Sequence, residues 1–342
     1  MAQLMDFDDM DMPEAPEWTP TPEELAECAQ WADRAEDSGV DFGFSEDEDD
    51  IETPKKQIEN HQFPVPIELD WIRRPRDAEN IDFDFVLPGL SRGEVGLLAG
   101  AGGNGKSFLA LEIAYSVASG VRFFSSDGSR YYPHFASELP HKKAKVLNFE
   151  DSSKVLWNRI GAIQDYAENL FAITSFEDVY IAECAQYAMY LKILNTRGEI
   201  NQQTVEWFRQ QAAGMDLLVL DPLSQIHAAD ENNNGQMSML MSIFKNIATT
   251  ENVAILIVHH ASKGAVLNGQ AEVQQATRGA SALVDSSRLT MTLLRDAKTK
   301  EILLSYPKIN GHEPLPTVSL TRDAGGILVE EIPIPNPDVV PF

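Results

Sequence analysis

The sequence predicts an α/β fold with a mostly parallel central sheet and an antiparallel C-terminal edge. In the middle of the chain, short apolar runs alternate with stretches in which apolar residues recur at helical spacing. A glycine-rich segment connects the first apolar run to the first helix. From residue 288 onward, short β-like segments follow one another with only turns between them. Alternating strands and helices favour a parallel sheet, and consecutive short strands favour an antiparallel extension.

Four apolar runs are the candidate strands of the parallel part: 95–99, 145–151, 215–221 and 253–260. Helical periodicity occupies four other stretches: 108–118, 153–170, 205–213 and 237–250. The later β-like segments are 288–294, 301–306, 317–320 and 326–330. Residues 171–201 fit either a strand or a loop. Because ligands of open α/β sheets bind beyond the carboxyl ends of the strands, we expect the functional polar residues at that edge.

Composition divides the chain into three parts. Residues 1–60 contain 20 acidic and 3 basic side chains, a net charge of −17, and few β-branched residues, which predicts an acidic and mostly disordered tail. Within it, residues 21–24 fit a capping box and predict one short helix. The tail is either a solvated acidic segment, or a docking peptide for a protein partner or a mimic of nucleic acid. Residues 61–330 are the predicted α/β domain, and residues 331–342 form a Pro-rich tail.

Charge and cysteine content exclude several classes of protein. The net charge of −26 over 342 residues argues against a protein that coats duplex DNA, so nucleic acid would have to meet a local patch or an enclosed channel. Only Cys28 and Cys184 are present, which implies no disulfide framework and fits a reducing compartment. No apolar run approaches the roughly 18 to 20 residues of a membrane span. We therefore expect a soluble, cytoplasmic protein that does not enter a membrane.

The glycine-rich segment GAGGNGKS, residues 100–107, matches the phosphate-binding pattern G-x-x-x-x-G-K-[ST] and lies between a predicted strand and a predicted helix. In that setting, backbone N–H groups and the helix N-terminus surround the phosphates of a nucleotide. Lys106 is expected to reach the β- and γ-phosphates, and the Ser107 hydroxyl is expected to bind Mg²⁺. The residues predicted to bind ATP and Mg²⁺ are Gly100, Gly102, Gly103, Asn104, Gly105, Lys106, Ser107 and Asp221.

Carboxylates follow two of the predicted strands. Asp221 ends the run LLVLD and has the form of the carboxylate that holds the Mg²⁺ shell opposite the loop serine. Glu150 and Asp151 end another strand, and a carboxylate beside the γ-phosphate can orient the attacking water. Glu150 is therefore the candidate catalytic residue. The alternative is a pair of acids that cap the next helix, and this capping or supporting role is the one we assign to Asp151.

Histidines and arginines provide further candidates. His259 and His260 follow six apolar residues, without the additional Cys or His that a zinc site needs. A polar group at this strand end can instead sense the γ-phosphate and pass the nucleotide state to the next loop. Arg278 and Arg288 flank the segment GASALVDSS, and an arginine from a neighbouring subunit can neutralise charge on a transferring phosphoryl group. An ordinary salt bridge is the alternative, and composition does not choose between the two arginines.

Five segments together resemble the RecA-like core of hexameric replicative helicases, most closely the compact RepA type encoded by mobilisable plasmids and related elements. They are GAGGNGKS, FED, VLDPLSQIHAADENN, HHASKG and QQATRGASALVDSSR. The resemblance covers residues 85–326 and is most specific from HHASKG to VDSSR. It implies a RecA-like P-loop NTPase core, a ring closed by subunit contacts, ATP between subunits, and single-stranded DNA through the centre.

The resemblance also implies roles for individual residues. Glu150 would activate water, His260 occupies the position of the family's Gln or His sensor, and Arg288 falls where the family's arginine finger acts on the neighbouring subunit. Residues 308–311 are similar to the family's Lys-x-Asn turn, although the usual aromatic residue between Asn and Gly is missing.

Loop 261–279 would correspond to a channel loop that faces DNA. It offers Lys263 and Arg278, a modest positive charge that suits an enclosed single strand.

The sequence therefore predicts a ring-forming ATPase, expected to be a hexamer, that couples ATP hydrolysis to translocation on single-stranded DNA. Its unwinding of duplex DNA would serve replication of a phage, plasmid or integrated element. Two alternatives stay open. One is a RecA-like recombination mediator or loader whose assembly is itself the product. The other is a regulatory ATPase that acts on protein partners, which the acidic tail and the lack of a basic surface favour.

Overall fold

The structure is a computed structural model that describes residues 3–5, 85–120, 142–171, 176–260, 281–296, 299 and 301–330. The chain divides into two units, of which one joins Met1–Met10 to Phe83–Phe342. The other unit, Asp11–Asp82, lies outside the described residues. Three sequence predictions fall outside them as well: the short helix at 21–24, the loop at 261–279 and the C-terminal tail at 331–342.

Ten of the twelve strands in the described residues form one sheet. The strands are β1 Gln3–Met5, β2 Phe85–Leu87, β3 Leu90–Ser91, β4 Val95–Gly100, β5 Ala144–Asn148, β6 Val179–Glu183, β7 Leu217–Asp221, β8 Ala254–His260, β9 Leu289–Arg295, β10 Ile302–Ile309, β11 Val318–Arg322 and β12 Leu328–Glu330. Their order across the sheet is β1-β6-β5-β7-β8-β4-β9-β10-β11-β12. In this order across the sheet, each strand from β1 through β4 is parallel to the next one, ending with the pair β4 and β9, and the pairs from β9 to β12 are antiparallel. Strands β2 and β3 pair separately as a hairpin.

The helices of the described residues are α1 Lys106–Ser119, α2 Ser153–Phe171, α3 Gln202–Ala212, α4 Asn234–Glu251 and α5 Ser281–Ser286. Local sequence sets the start of α4, because the Asn233 side chain accepts hydrogen bonds from the N–H groups of Gly235 and Gln236. This cap begins the helix ahead of the periodic pattern that starts at Met237. No helix in the described ranges is both long and apolar enough to cross a membrane.

The sheet is buried between two helical layers. On one face, α1 and α2 pack through residues such as Leu109 and Ile160. On the other face, α3, α4 and α5 pack through residues such as Phe208 and Phe244. Strands β4 and β7 are buried along their whole length, as strands covered on both faces must be. This burial explains why their sequences are continuous apolar runs rather than alternating ones.

Strands β4, β5, β7 and β8 all end at one edge of the sheet, the carboxyl edge. Strand β8 lies between β4 and β7. The register places Gly100 beside His260, and Asn148 beside Asp221. The segments that follow these strands are therefore neighbours in space, although they are far apart in sequence.

Three strands differ from the sequence prediction. Strand β9 connects the two parts of the sheet, because it is parallel to β4 and antiparallel to β10, and helix α5 precedes it. A parallel partner requires a crossover connection, and α5 belongs to one. Strand β6 shows that residues 171–201 include a strand, which the pattern did not decide. Strand β1 lies within the acidic tail and pairs with β6, and nothing in the sequence predicted it.

Candidate functional site

Residues 100–107, here called the phosphate loop, connect β4 to α1. Gly103 and Gly105 adopt φ values of 80° and 103°, in the left-handed region that favours glycine. The Asn104 amide donates a hydrogen bond of 2.9 Å to the carbonyl oxygen of Leu293 on β9. At the start of the loop, a methyl group on Gly100 would collide with that same carbonyl. The loop is thus held against β9 while its glycines turn the backbone into α1.

The Lys106 side chain is buried in the phosphate loop. Its Nζ donates a hydrogen bond of 2.9 Å to the carbonyl oxygen of Ala101. Burial lowers the pKa of Lys106 to about 8, and the carboxylates of Asp221 and Glu150 oppose this shift. The lysine is therefore a desolvated cation that a bound phosphate would stabilise.

Asp221, at the end of β7, is almost fully buried, with 1% of its surface exposed. Burial raises the pKa of its carboxyl to about 6, and a hydrogen bond with the Ser107 side chain counteracts this. The Asn148 amide donates to Asp221 Oδ2 over 3.3 Å. Asp221 Oδ1 is buried and has no hydrogen-bond partner within the described residues.

The pair of Ser107 and Asp221 fits a magnesium ion. Mg²⁺ prefers oxygen ligands and is usually held by one or two protein groups together with water and phosphate. An unpartnered, buried carboxylate oxygen costs free energy that such a cation would recover. The structure thus brings together the two residues that the sequence assigned to Mg²⁺.

Glu150 follows β5 and points toward the end of β8. Its Oε2 lies 3.4 Å from Nε2 of His260. The Glu150 side chain is 54% exposed and that of His260 36% exposed, so solvent reaches both. The backbone N–H of Glu150 donates to Asn148 Oδ1 over 3.2 Å, which directs the chain out of the sheet at this point. A solvated carboxylate beside the phosphate loop has the properties of a group that orients water.

Asp151 is engaged in a different interaction. Its carboxylate makes a two-point ion pair with the Arg159 guanidinium on α2. Its backbone N–H donates to Asn148 Oδ1 over 2.7 Å. Because Asp151 is occupied by Arg159, Glu150 is the freer of the two carboxylates. Arg159 was not among the residues predicted from the sequence, although it lies only eight residues after Asp151.

The two histidines at the end of β8 differ in environment. His259 is buried, and its pKa is lowered to about 4, mainly by burial and also by the nearby His260, His227 and Lys106. It is therefore neutral at physiological pH. His260 instead lies at the surface of the cleft described next.

A cleft of about 310 Å³ opens over the phosphate loop and is called the phosphate-loop cleft. It is lined by Gly103, Gly105, Lys106, Ser107, Phe108, Glu150, Asp151, Arg159, His260 and Arg322. Arg322, at the end of β11, was missed by the sequence analysis. No local motif surrounds it, and only the antiparallel sheet extension brings it to the loop.

Arg288 does not lie at the carboxyl edge, and the expectation that every selected polar residue would lie there is wrong for this one. Its backbone N–H donates to the carbonyl oxygen of Val95, at the first residue of β4. The six residues of β4 then separate Arg288 from the phosphate loop by about 17 Å. The reason is the direction of β9, which starts at the opposite edge because it runs parallel to β4.

Arg288 belongs to a second cavity, of about 240 Å³, that it shares with Lys245, Asp285, Lys308 and Asn310. Its side chain is 51% exposed, and its Nε lies 3.6 Å from Oε1 of Glu94. Lys308 Nζ donates to the carbonyl oxygens of Val284 and Asp285, over 2.9 and 2.8 Å, at the end of α5. Lys308 therefore stabilises a helix C-terminus, while Arg288 retains an exposed guanidinium.

The two predicted DNA contacts, Lys263 and Arg278, lie outside the described residues. The structure therefore does not test their role.

The fold and the site together define a RecA-like P-loop ATPase. The family described as an AAA domain matches residues 73–266, and the chain belongs to that family.

Three solved structures show similarity at low sequence identity. One, described as an ATPase domain, has a TM-score of 0.48 and 14% identity, over 71% of this chain and 86% of that one. The flagellar accessory protein FlaH from Methanocaldococcus jannaschii has a TM-score of 0.42 and 14% identity, over 72% and 92%. A KaiC-like protein from Pyrococcus horikoshii OT3 has a TM-score of 0.40 and 12% identity, over 70% and 90%.

Proposed function

We propose that this protein is a ring-forming ATPase that translocates on single-stranded DNA and unwinds duplex DNA. The observation that supports it most directly is the separation of the phosphate-loop cleft from Arg288. The cleft holds the groups that bind nucleotide and orient water, whereas Arg288 is exposed at the opposite edge of the same chain. An arginine in that place can reach a phosphoryl group only on another copy of the chain.

The residues of the cleft would have separate roles in ATP hydrolysis. The phosphate loop and Lys106 bind the phosphates, and Ser107 and Asp221 hold Mg²⁺. When bound, Mg²⁺ neutralises charge on the phosphates. Glu150 accepts a hydrogen bond from the attacking water and takes its proton as the water oxygen bonds to the γ-phosphorus and the bond from that phosphorus to the departing ADP oxygen breaks. His260 orients Glu150 through the contact between its Nε2 and Oε2 of Glu150.

Two different surfaces of each subunit would meet at every interface of the assembly. A contact between the carboxyl edge of one copy and the Arg288 cavity of the next is heterologous, and such contacts close into rings when the rotation permits. Each interface would then contain one complete ATPase site. This arrangement would explain why the phosphate-loop cleft and Arg288, the two parts of one ATPase site, lie so far apart in a single chain.

The DNA part of the proposal depends on the resemblance of segments HHASKG and QQATRGASALVDSSR to replicative helicases. These segments include both ends of loop 261–279, which follows directly after His260. A loop that continues from the nucleotide sensor is well placed to move when ATP is hydrolysed. Its Lys263 and Arg278 are our candidates for backbone contacts to a single strand.

The test is an ATPase and unwinding assay on a forked DNA substrate. We expect single-stranded DNA to stimulate ATP hydrolysis, and ATP to drive strand separation. The Glu150→Gln variant should bind DNA in the presence of ATP without unwinding it. ATP hydrolysis that DNA does not stimulate, together with no unwinding, would refute the helicase function and leave the ATPase intact.

The net charge of −26 favours one alternative, a regulatory ATPase that acts on protein partners. Gel-shift measurements with ATP, ADP and no nucleotide separate the two functions. Absence of DNA affinity in every nucleotide state would support the regulatory ATPase.

A further inference from the structure

Arg322 reaches the phosphate loop from a distant part of the chain. Its guanidinium lines the phosphate-loop cleft together with Lys106 and Ser107. It approaches Gly105 so closely that a methyl group on that glycine would overlap the guanidinium. Arg322 therefore faces the place where the phosphate loop would hold its ligand.

The hairpin of β11 and β12 holds Arg322 in this position. Arg322 pairs with Leu328 across the hairpin. The backbone N–H of Leu328 donates a hydrogen bond of 2.9 Å to Oε1 of Glu112, which is buried on α1. Near the turn, Gly326 packs so tightly on the Phe108 ring that an added Cβ would lie 3.3 Å from it. The hairpin is thus seated on the helix that begins at the phosphate loop, and Arg322 is fixed relative to that loop.

No carboxylate of the described residues holds the Arg322 guanidinium in an ion pair. The guanidinium makes a long hydrogen bond of 3.5 Å to the carbonyl oxygen of Gly326. Burial lowers the pKa of Arg322, the nearby cations Arg295 and Arg159 lower it further, and the carboxyl group of Glu112 opposes this shift. Arg159 differs, because Asp151 already pairs with it. An arginine among other cations, facing a cleft, is suited to bind an anion.

We propose that Arg322 binds a phosphate group of the nucleotide held by the phosphate loop of its own chain. This inference rests on the ATP site of the proposed function and adds a residue that neither the motifs nor the family match identifies. The planar guanidinium presents several N–H donors, which suits the oxygens of a phosphate. Arg322 would act within one subunit, whereas Arg288 would act across the interface.

Nucleotide affinity tests the proposal without reference to DNA or to turnover. We would measure the Kd for ADP and for ATP by displacement of a fluorescent ADP analogue from wild type, Arg322→Gln and Arg322→Lys. Arg322→Gln should raise both Kd values about 10- to 100-fold, the range for one charge-assisted hydrogen bond. Arg322→Lys should lose less nucleotide affinity, because it keeps the positive charge. Arg295→Gln, which removes a neighbouring cation that does not line the cleft, should leave Kd nearly unchanged.

Pyrophosphate as a competitor identifies the part of the nucleotide that Arg322 contacts. Arg322→Gln should weaken the binding of pyrophosphate and of ADP by a similar factor. Loss of ADP affinity with unchanged pyrophosphate competition would assign Arg322 to the base or ribose and overturn the proposal. An unchanged ADP Kd, with only a lower melting temperature, would overturn it as well, and Arg322→Lys provides the measurement if Arg322→Gln does not fold.

The same experiments separate this inference from the proposed function. If wild type and Lys106→Ala bind ADP equally weakly, the ATP site itself is refuted. If wild type binds ADP and Arg322→Gln weakens that binding, while wild type with ATP does not unwind forked DNA, the helicase function fails and the role of Arg322 stands.

Discussion

Nε2 of His260 lies 3.4 Å from Oε2 of Glu150. The two residues lie at the ends of β8 and β5, which are not neighbours in the sheet. Strand β7, which carries Asp221, separates β5 from β8. The contact therefore spans the strand that would support Mg²⁺. It links the candidate catalytic carboxylate to the residue from which loop 261–279 departs.

We expect Glu150→Gln to bind ATP with nearly wild-type Kd and to hydrolyse it about 100-fold or more slowly, because an amide cannot take a proton from water. Single-turnover hydrolysis and nucleotide binding should be measured on the same preparation. Glu168→Gln, at an exposed position of α2, is the matched control and should hydrolyse ATP normally. Normal hydrolysis by Glu150→Gln would move the catalytic role to another residue.

His260→Ala should lower the ATPase rate about tenfold, as expected for the loss of one hydrogen bond that positions a catalytic group. His260→Gln should retain most of the rate, because its amide can replace the imidazole in a contact with Glu150. The measurement is kcat with and without single-stranded DNA, alongside the nucleotide Kd, which should not change. Wild-type rates for both variants would show that the contact with Glu150 has no role in the reaction.

Mixing two inactive variants tests whether Arg288 acts on a neighbouring subunit. Lys106→Ala lacks a working phosphate loop, and Arg288→Ala lacks the exposed arginine, so each should be inactive alone. In an equimolar mixture, about a quarter of the interfaces would combine an intact loop with an intact arginine, and ATPase activity should partly recover.

The control for this mixture is Lys106→Ala combined with the double variant Lys106→Ala/Arg288→Ala, which contains no intact loop and should stay inactive. A mixture of the two single variants without any recovery would argue that Arg288 does not complete the site of another copy.

Glu112 should make the protein less stable as pH rises. It is fully buried, with Oε2 lacking a hydrogen-bond partner among the described residues. Burial raises the pKa of its carboxyl well above the ordinary 4.5. The native state therefore holds a proton that the unfolded chain releases above its ordinary pKa. The stabilisation is complete below that value and is lost as the pH rises toward the raised pKa.

Glu112→Gln removes this dependence, so its melting temperature should exceed that of wild type by an amount that grows from pH 5 to pH 8. Thermal unfolding of the nucleotide-free protein measures the difference. Glu168→Gln should show no such trend, since its side chain is exposed. A Glu112→Gln variant that is less stable than wild type at pH 8 would contradict the prediction.

Local sequence patterns were sufficient for the phosphate loop and for most of the helices and strands. The loop is defined by neighbouring residues, with glycines where φ is positive and Lys106 and Ser107 at the start of α1. The buried strands β4, β7 and β8 are continuous apolar runs, apart from the polar residues that end β7 and β8, because both faces are covered. Strand ends then indicated Glu150, Asp221 and His260, since parallel strands bring their carboxyl ends to one edge.

Only the tertiary structure decided where the arginines lie. Arg288 precedes a strand, but its distance from the phosphate loop depends on whether that strand runs parallel or antiparallel to β4, and the residue pattern is the same for both directions. Arg322 reaches Gly105 through the packing of a hairpin on α1, which no short-range pattern encodes. The sequence thus determined the groups that bind phosphate, because they are contiguous, whereas long-range strand pairing determined which cations belong to the same site.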